Sequence, residues 1–130
     1  MREILFRGKR LDNGAWETGS LVIVRMDCHD AQYYIADKMT GYHTPVDHST
    51  VGQYTGLKDK NGKRIFEGDV AKVLQGKDKD IAYVGFENGA FMLYPKTGNI
   101  YERTLWEYWY NDWDVEVIGN ITDNPELLEK

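Results

Sequence analysis

Apolar and polar positions alternate along this chain in short blocks separated by turn-forming residues, the pattern of a β-rich protein. Near the end, Trp113, Val115 and Val117 alternate with Asp114 and Glu116, a period of two that gives a strand one dry and one wet face. Residues 81–86 and 90–94 are rich in β-branched and aromatic side chains and flank Asn88-Gly89. That dipeptide supplies the two positive φ angles of a type I′ hairpin turn at the least steric cost. It recurs as Asn13-Gly14 and Asn61-Gly62. Around Asn13-Gly14 the pattern pairs a strand over 2–8 with a long one over 15–26, Ile4 and Phe6 lying on one face and Leu5 on the other. Charged flanks, Lys58-Asp59-Lys60 and Lys63-Arg64, make Asn61-Gly62 an exposed loop or short ribbon. Further strands are expected over 32–36, 49–54 and 69–75, and 76–80 reads as a hairpin tip with little constraint. Asn124-Pro125-Glu126 supplies an N-cap, a proline at the first helical position and a first-turn acid, so one helical turn through Leu127-Leu128 closes the chain.

The segment 101–113 fits two periods, and six of its residues are aromatic: Tyr101, Trp106, Tyr108, Trp109, Tyr110 and Trp113. A helix puts Trp106, Trp109 and Trp113 on one face; a strand lines up Trp106, Tyr108 and Tyr110 opposite Glu107 and Trp109. The length and the run Glu102, Leu105, Glu107 favour a short helix near 102–110. About half of these aromatics are expected in the core, with Tyr108 and Tyr110 more exposed than Trp109 or Trp113.

Composition narrows the class. A chain of 130 residues is one ordinary domain or two small subdomains. Sixteen basic and 21 acidic side chains give a net charge of −5, which disfavours a dedicated coater of nucleic acid. The charge is uneven: residues 1–80 hold 13 basic and 12 acidic groups, residues 81–130 only 3 and 9, so a basic partner is drawn to the C-terminal part. The longest apolar run, 90–94, is far short of the roughly 20 residues of a bilayer span, so no membrane crossing is expected. The opening Met1-Arg2-Glu3-Ile4-Leu5-Phe6-Arg7 lacks the apolar stretch of a secretory signal, and the single Cys28 forms no internal disulfide; both point to a reducing cytoplasm.

Candidate chemistry is sparse. Cys28-His29-Asp30 lists the residue types of a nucleophile, base and orienter, but consecutive side chains on an extended segment point apart, so a turn is the simpler reading. Cys28, His43 and His48 are weak candidates for a metal, since the two histidines fall within zinc-module spacing while the second cysteine of such modules is missing. No glycine-rich phosphate loop occurs, and no cofactor is implied. Lys58, Lys60, Lys63 and Arg64 form the densest basic cluster; with Tyr54 or Phe66 beside them for stacking they would contact nucleic acid, whereas a solvated hairpin tip needs no ligand. Trp106, Tyr108 and Tyr110 are the candidate protein-interaction residues, because Trp and Tyr carry most binding energy at interfaces when left exposed.

Three blocks together resemble the YopX family of bacteriophage and prophage proteins. The first is Met1 to Gly8, followed by Asn13-Gly14 and Gly19-Ser20-Leu21-Val22. The central one is Gln53-Tyr54-Thr55-Gly56-Leu57-Lys58-Asp59-Lys60-Asn61-Gly62-Lys63, running on through Ile65-Phe66-Glu67-Gly68-Asp69-Val70. The last is Val117-Ile118-Gly119-Asn120-Ile121 with Asn124-Pro125-Glu126-Leu127-Leu128. The resemblance implies a small β-rich protein working in the cytoplasm of a bacterial host; it transfers no activity and no catalytic residues. The expectation is therefore a mainly β, antiparallel protein of some α+β character. An N-terminal β subdomain over about 1–50 packs on a small SH3-like barrel-type unit over about 51–121, and a tail covers 122–130. The expected function is non-catalytic binding, to a homo-oligomer partner or to a host or phage protein, with nucleic-acid contact through the Lys58 to Arg64 loop as the alternative.

Overall fold

The computed structural model describes residues 1–28 and 30–129, so His29 of the Cys28-His29-Asp30 trio lies outside the described residues. The chain is mainly β, with two antiparallel sheets and one short helix among the described residues, as the pattern predicts. It divides into two units, Met1–Tyr54 and Thr55–Lys130.

In the first unit, β1 (Phe6–Lys9), β2 (Trp16–Arg25), β3 (Ala31–Ala36) and β4 (His43–Pro45) pair in the order β4-β3-β2-β1. The first residues of β5 (Gly52–Lys58) add to β1, with Gln53 opposite Phe6 and Gly52 opposite Arg7. Leu5, Ile35, Val46 and Tyr54 are buried. The Asn13-Gly14 turn is wider than a two-residue hairpin: Arg10 N donates to Ala15 O and Gly14 N to Arg10 O. The Asn13 carboxamide instead accepts from Ala15 N at 2.9 Å, an Asx bond that holds the loop without a positive φ at Asn13.

In the second unit, the remainder of β5 leads to β6 (Arg64–Phe66). The second sheet is then formed by β7 (Asp69–Gln75), β8 (Asp78–Glu87), β9 (Ala90–Pro95), β10 (Arg103–Thr104) and β11 (Asp114–Asn120) in the order β10-β9-β8-β7-β11. Of the three Asn-Gly pairs, Asn88-Gly89 alone adopts the two positive φ angles of a type I′ turn, 52° and 82°. Ala71, Val73, Ala82, Val84, Leu93 and Val115 alternate inward along four strands and meet Ile65, Ile100, Leu105 and Tyr108 in one core. The strand order ends at β10 and β11, so among the described residues the ladder is an open sheet and does not close into the barrel expected.

Two local expectations fail for the same reason, that a polar side chain finds a partner which composition does not reveal. Asp80, in the segment 76–80 expected as an unconstrained tip, is buried in β8. It accepts from Ile81 N (2.8 Å), Thr97 N (3.1 Å), Thr97 Oγ1 (2.8 Å) and Asn99 N (3.0 Å), and so organises the loop after β9. The closing turn forms as a 3-10 turn, Pro125–Leu128, but the Asn124 side chain does not cap it: its Oδ1 accepts from Asn120 N instead.

Burial by itself would push the Asp80 carboxyl up, but the bonds from Thr97, Ile81 and Asn99 outweigh it and hold the group below the usual carboxylate range. A carboxyl depressed in the folded state stabilises fully above its unfolded value near pH 4, and that contribution fades as pH falls through the lower folded value. Asp80→Ala is accordingly expected to lose roughly 2–3 kcal/mol at pH 7 in urea unfolding, with the gap to the parent chain narrowing as pH falls below about 4. A gap independent of pH would refute the ionised-carboxylate account.

Candidate functional site

Helix α1 (Leu105–Tyr110) has six residues and survives because both ends are locked. At its start Thr104 Oγ1 accepts from Glu107 N at 3.2 Å while Glu107 Oε1 accepts from Thr104 N, a reciprocal capping box. Arg103 pairs with Glu107 at 3.0 Å and lies 5.7 Å from each of the Tyr101 and Trp113 rings. At its end Trp113 N donates to Tyr108 O and Asp112 N to Trp109 O, the two crossed bonds of a Schellman motif. Asp112 sits at the left-handed position with φ 57°, where glycine is the usual occupant. Trp113 packs edge-to-face on Tyr108 at 5.1 Å, the apolar contact that accompanies the motif.

This helix sorts its aromatics. At 100° per residue, Leu105 and Tyr108 fall on the inward side and Trp106 and Tyr110 on the outward one, with Trp109 at the margin between them, about 40° from Leu105. Tyr108 is 0% exposed, and its hydroxyl donates to Tyr101 O at 2.9 Å. Trp106, Trp109 and Tyr110 are 55%, 58% and 67% exposed, with Trp106 stacked on Tyr110 at 4.9 Å. The expectation that Tyr108 is more exposed than Trp109 is therefore reversed, with Tyr108 buried and Trp109 exposed: the period-two reading that aligned 106, 108 and 110 does not apply on a helix. Only Tyr108 and the half-buried Trp113 join the core, fewer than the half expected.

Beside Trp109 lies a cleft of about 230 Å³. Lys58 at the end of β5 and Lys60 in the loop after it line one side, Asp112 after α1 and Asp114 at the start of β11 line the other, and Ile65 and Trp113 contribute apolar surface. The two walls are tied together by Asp59, which is buried. Its Oδ1 accepts from Asn61 N and Lys63 N, each at 2.9 Å, and its Oδ2 from Val117 N at 2.9 Å; Lys60 N donates to Val115 O at 3.0 Å. Burial raises the Asp59 carboxyl, but the amides of Val117, Lys63 and Asn61 outweigh it and hold the group below its ordinary value. The Asn61-Gly62 bend is thus a loop built around one carboxylate, and the outer edge of β11 is covered by it.

The family model whose description reads YopX protein matches residues 5–129. The chain belongs to the YopX family. Among solved structures it is similar to protein yopX from Bacillus subtilis, at 21% identity over 100% of this chain and 98% of that one, with a TM-score of 0.61. It is also similar to protein EF1440 from Enterococcus faecalis, at 23% identity over 99% and 100%, with a TM-score of 0.62. Among curated proteins no match is found.

The other candidate residues of this YopX-family chain are dispersed. Lys58, Lys60, Lys63 and Arg64 are exposed, but Tyr54 and Phe66 are buried and offer no stacking surface beside them. His43 begins β4, with Nδ1 2.8 Å from Gly41 O and its ring against Tyr34; His48 stacks on Tyr33 at 5.4 Å. Tyr33 and Tyr34 are consecutive in β3 and face opposite sides of the sheet, so the histidines are kept on different faces. Cys28 is exposed, and no group of three or more metal-ligating side chains gathers among the described residues. Thr104-x-x-Glu107 was the sequence signal that fixes the start of α1 and with it the orientation of Trp109.

Replacing Asp112 by Gly relieves the left-handed backbone and is expected to raise stability by about 0.5–1 kcal/mol in thermal unfolding. A loss instead would show that the Asp112 side chain holds the motif together.

Proposed function

We propose that this YopX-family chain is a non-catalytic accessory protein of a phage or prophage, acting in the cytoplasm of the bacterial host by binding a protein segment along α1 and its cleft. The observation that supports this most is the exposure of Trp106, Trp109 and Tyr110 on a helix whose termini are both fastened, so that the aromatics are presented rather than merely unburied. Asp112 and Asp114 beside Trp109, in an acidic C-terminal half, favour a partner that combines a large apolar side chain with lysine or arginine. Lys58 and Lys60 across the cleft suit an acidic group on the same segment.

Nucleic-acid contact through Lys58, Lys60, Lys63 and Arg64 is the second reading, supported by the exposure of all four and by the indole of Trp109 beside two of them. Asp112 and Asp114 weigh against it, because a phosphate chain in that cleft would meet two carboxylates.

Selection from a displayed random-peptide library should enrich segments pairing an aromatic or leucine with basic residues. Titrated by tryptophan fluorescence, their affinity is expected to fall tenfold or more with Trp109→Ala, about 1.4 kcal/mol or greater, while the unfolding midpoint stays within a few degrees. Equal affinity for Trp109→Ala and the parent chain would exclude the cleft as the binding site.

A further inference from the structure

The outward face of the second sheet carries a row of cations unrelated to the cleft. In the register of β7 and β8, Lys72 lies opposite Ile81, Leu74 opposite Lys79 and Val70 opposite Tyr83; in that of β8 and β9, Tyr83 lies opposite Tyr94. Lys96 N donates to Ile81 O, which extends the ladder by one row. Ala71, Val73, Ala82 and Val84 point into the core, so by alternation Lys72, Lys79, Ile81, Tyr83, Tyr94 and Lys96 share the opposite face.

Lys72, Lys79 and Lys96 line one cavity of about 300 Å³ with Ile81, Thr97 and Asn99. Lys96 Nζ reaches Leu127 O at 3.3 Å, and neither Lys72 nor Lys79 makes an ion pair among the described residues. Three acids adjoin the row, one of them Asp114, opposite Leu74 on β11 and at the edge of the cleft. Asp80 lines the cavity, but it faces inward, and its oxygens accept from Ile81, Thr97 and Asn99; Glu116, opposite Lys72 on β11, accepts from Asn61 Nδ2. Three lysines from adjoining rows therefore share one cavity with the single carboxylate of Asp80, a local excess of positive charge that an external anion relieves.

The next row along the same face is aromatic. Tyr83 and Tyr94 lie 5.1 Å apart between ring centroids, and same-face rows repeat roughly every 7 Å along a strand. That spacing is comparable with the reach from a nucleotide's phosphate to its base. We propose that this face binds a nucleotide, with the phosphate among Lys72, Lys79 and Lys96 and the base against the Tyr83–Tyr94 pair. The nucleotide is either free or one residue of a single strand.

The test uses the full chain and a fluorescent oligothymidylate, followed by anisotropy at about 50 and 200 mM salt, with free thymidine monophosphate as competitor. Lys72→Ala combined with Lys79→Ala is expected to weaken binding tenfold or more and to lower the salt slope by about 0.7, the value for the one phosphate that is no longer neutralised. Tyr83→Ala should weaken binding at an unchanged slope, and Lys60→Ala with Lys63→Ala should leave it intact. Displacement by the monophosphate identifies a free-nucleotide site, and absence of displacement a strand site; either supports the assignment. Since both lysines are exposed, unchanged unfolding midpoints confirm that the fold is retained. No salt-dependent binding by the parent chain, or binding that survives removal of the Lys72 and Lys79 side chains, would overturn the proposal.

Discussion

One carboxylate, that of Asp59, holds the two walls of the cleft in register. It accepts two amides of its own loop and, 58 residues further along the chain, the amide of Val117 in β11. Without it the bend at Asn61-Gly62 has no internal template, and the edge of β11 loses the group that covers its Val117 amide. A bulge between Val117 and Gly119, where the β11 register shifts against β7, adjoins that contact. Through β11 the constraint reaches Asp114 and the Trp113 indole, and so the wall of the cleft that faces Lys58 and Lys60.

The same device recurs. Asp69 accepts from Phe66 N at 2.8 Å at the entrance to β7, and Asp80 gathers the Thr97–Asn99 loop. Buried acids that accept main-chain amides do what a hydrophobic contact cannot, since they specify a loop conformation by direction as well as by proximity. In a chain with few prolines to stiffen its turns, these three residues fix the loops before β6, before β7 and after β9.

Strand positions were largely legible, because alternation of buried and wet residues is local: the 69–75 strand coincides with β7, and 32–36 and 90–94 each fall within a residue of β3 and β9. What stayed hidden depended on distant partners. Asp59 and Asp80 read as solvated charge among lysines, and nothing near them in the chain announces Val117 or Thr97. Asn13 and Asn61 carry the same dipeptide as Asn88, yet neighbouring bonds draw them into wider loops. Tyr108 and Trp109 changed places because two periods fitted one aromatic run. Thr104 and Glu107 decide between those periods, because a capping box fixes where the helix starts and so which residues turn inward.

Amide hydrogen exchange on the parent chain and on Asp59→Asn tests the role of this carboxylate most directly. If one carboxylate organises the cleft, the amides of Asn61, Lys63 and Val117 are protected in the parent chain and lose that protection together in the variant, while those of Val73 and Val84 remain slow. Retained protection at Val117 in Asp59→Asn would contradict it.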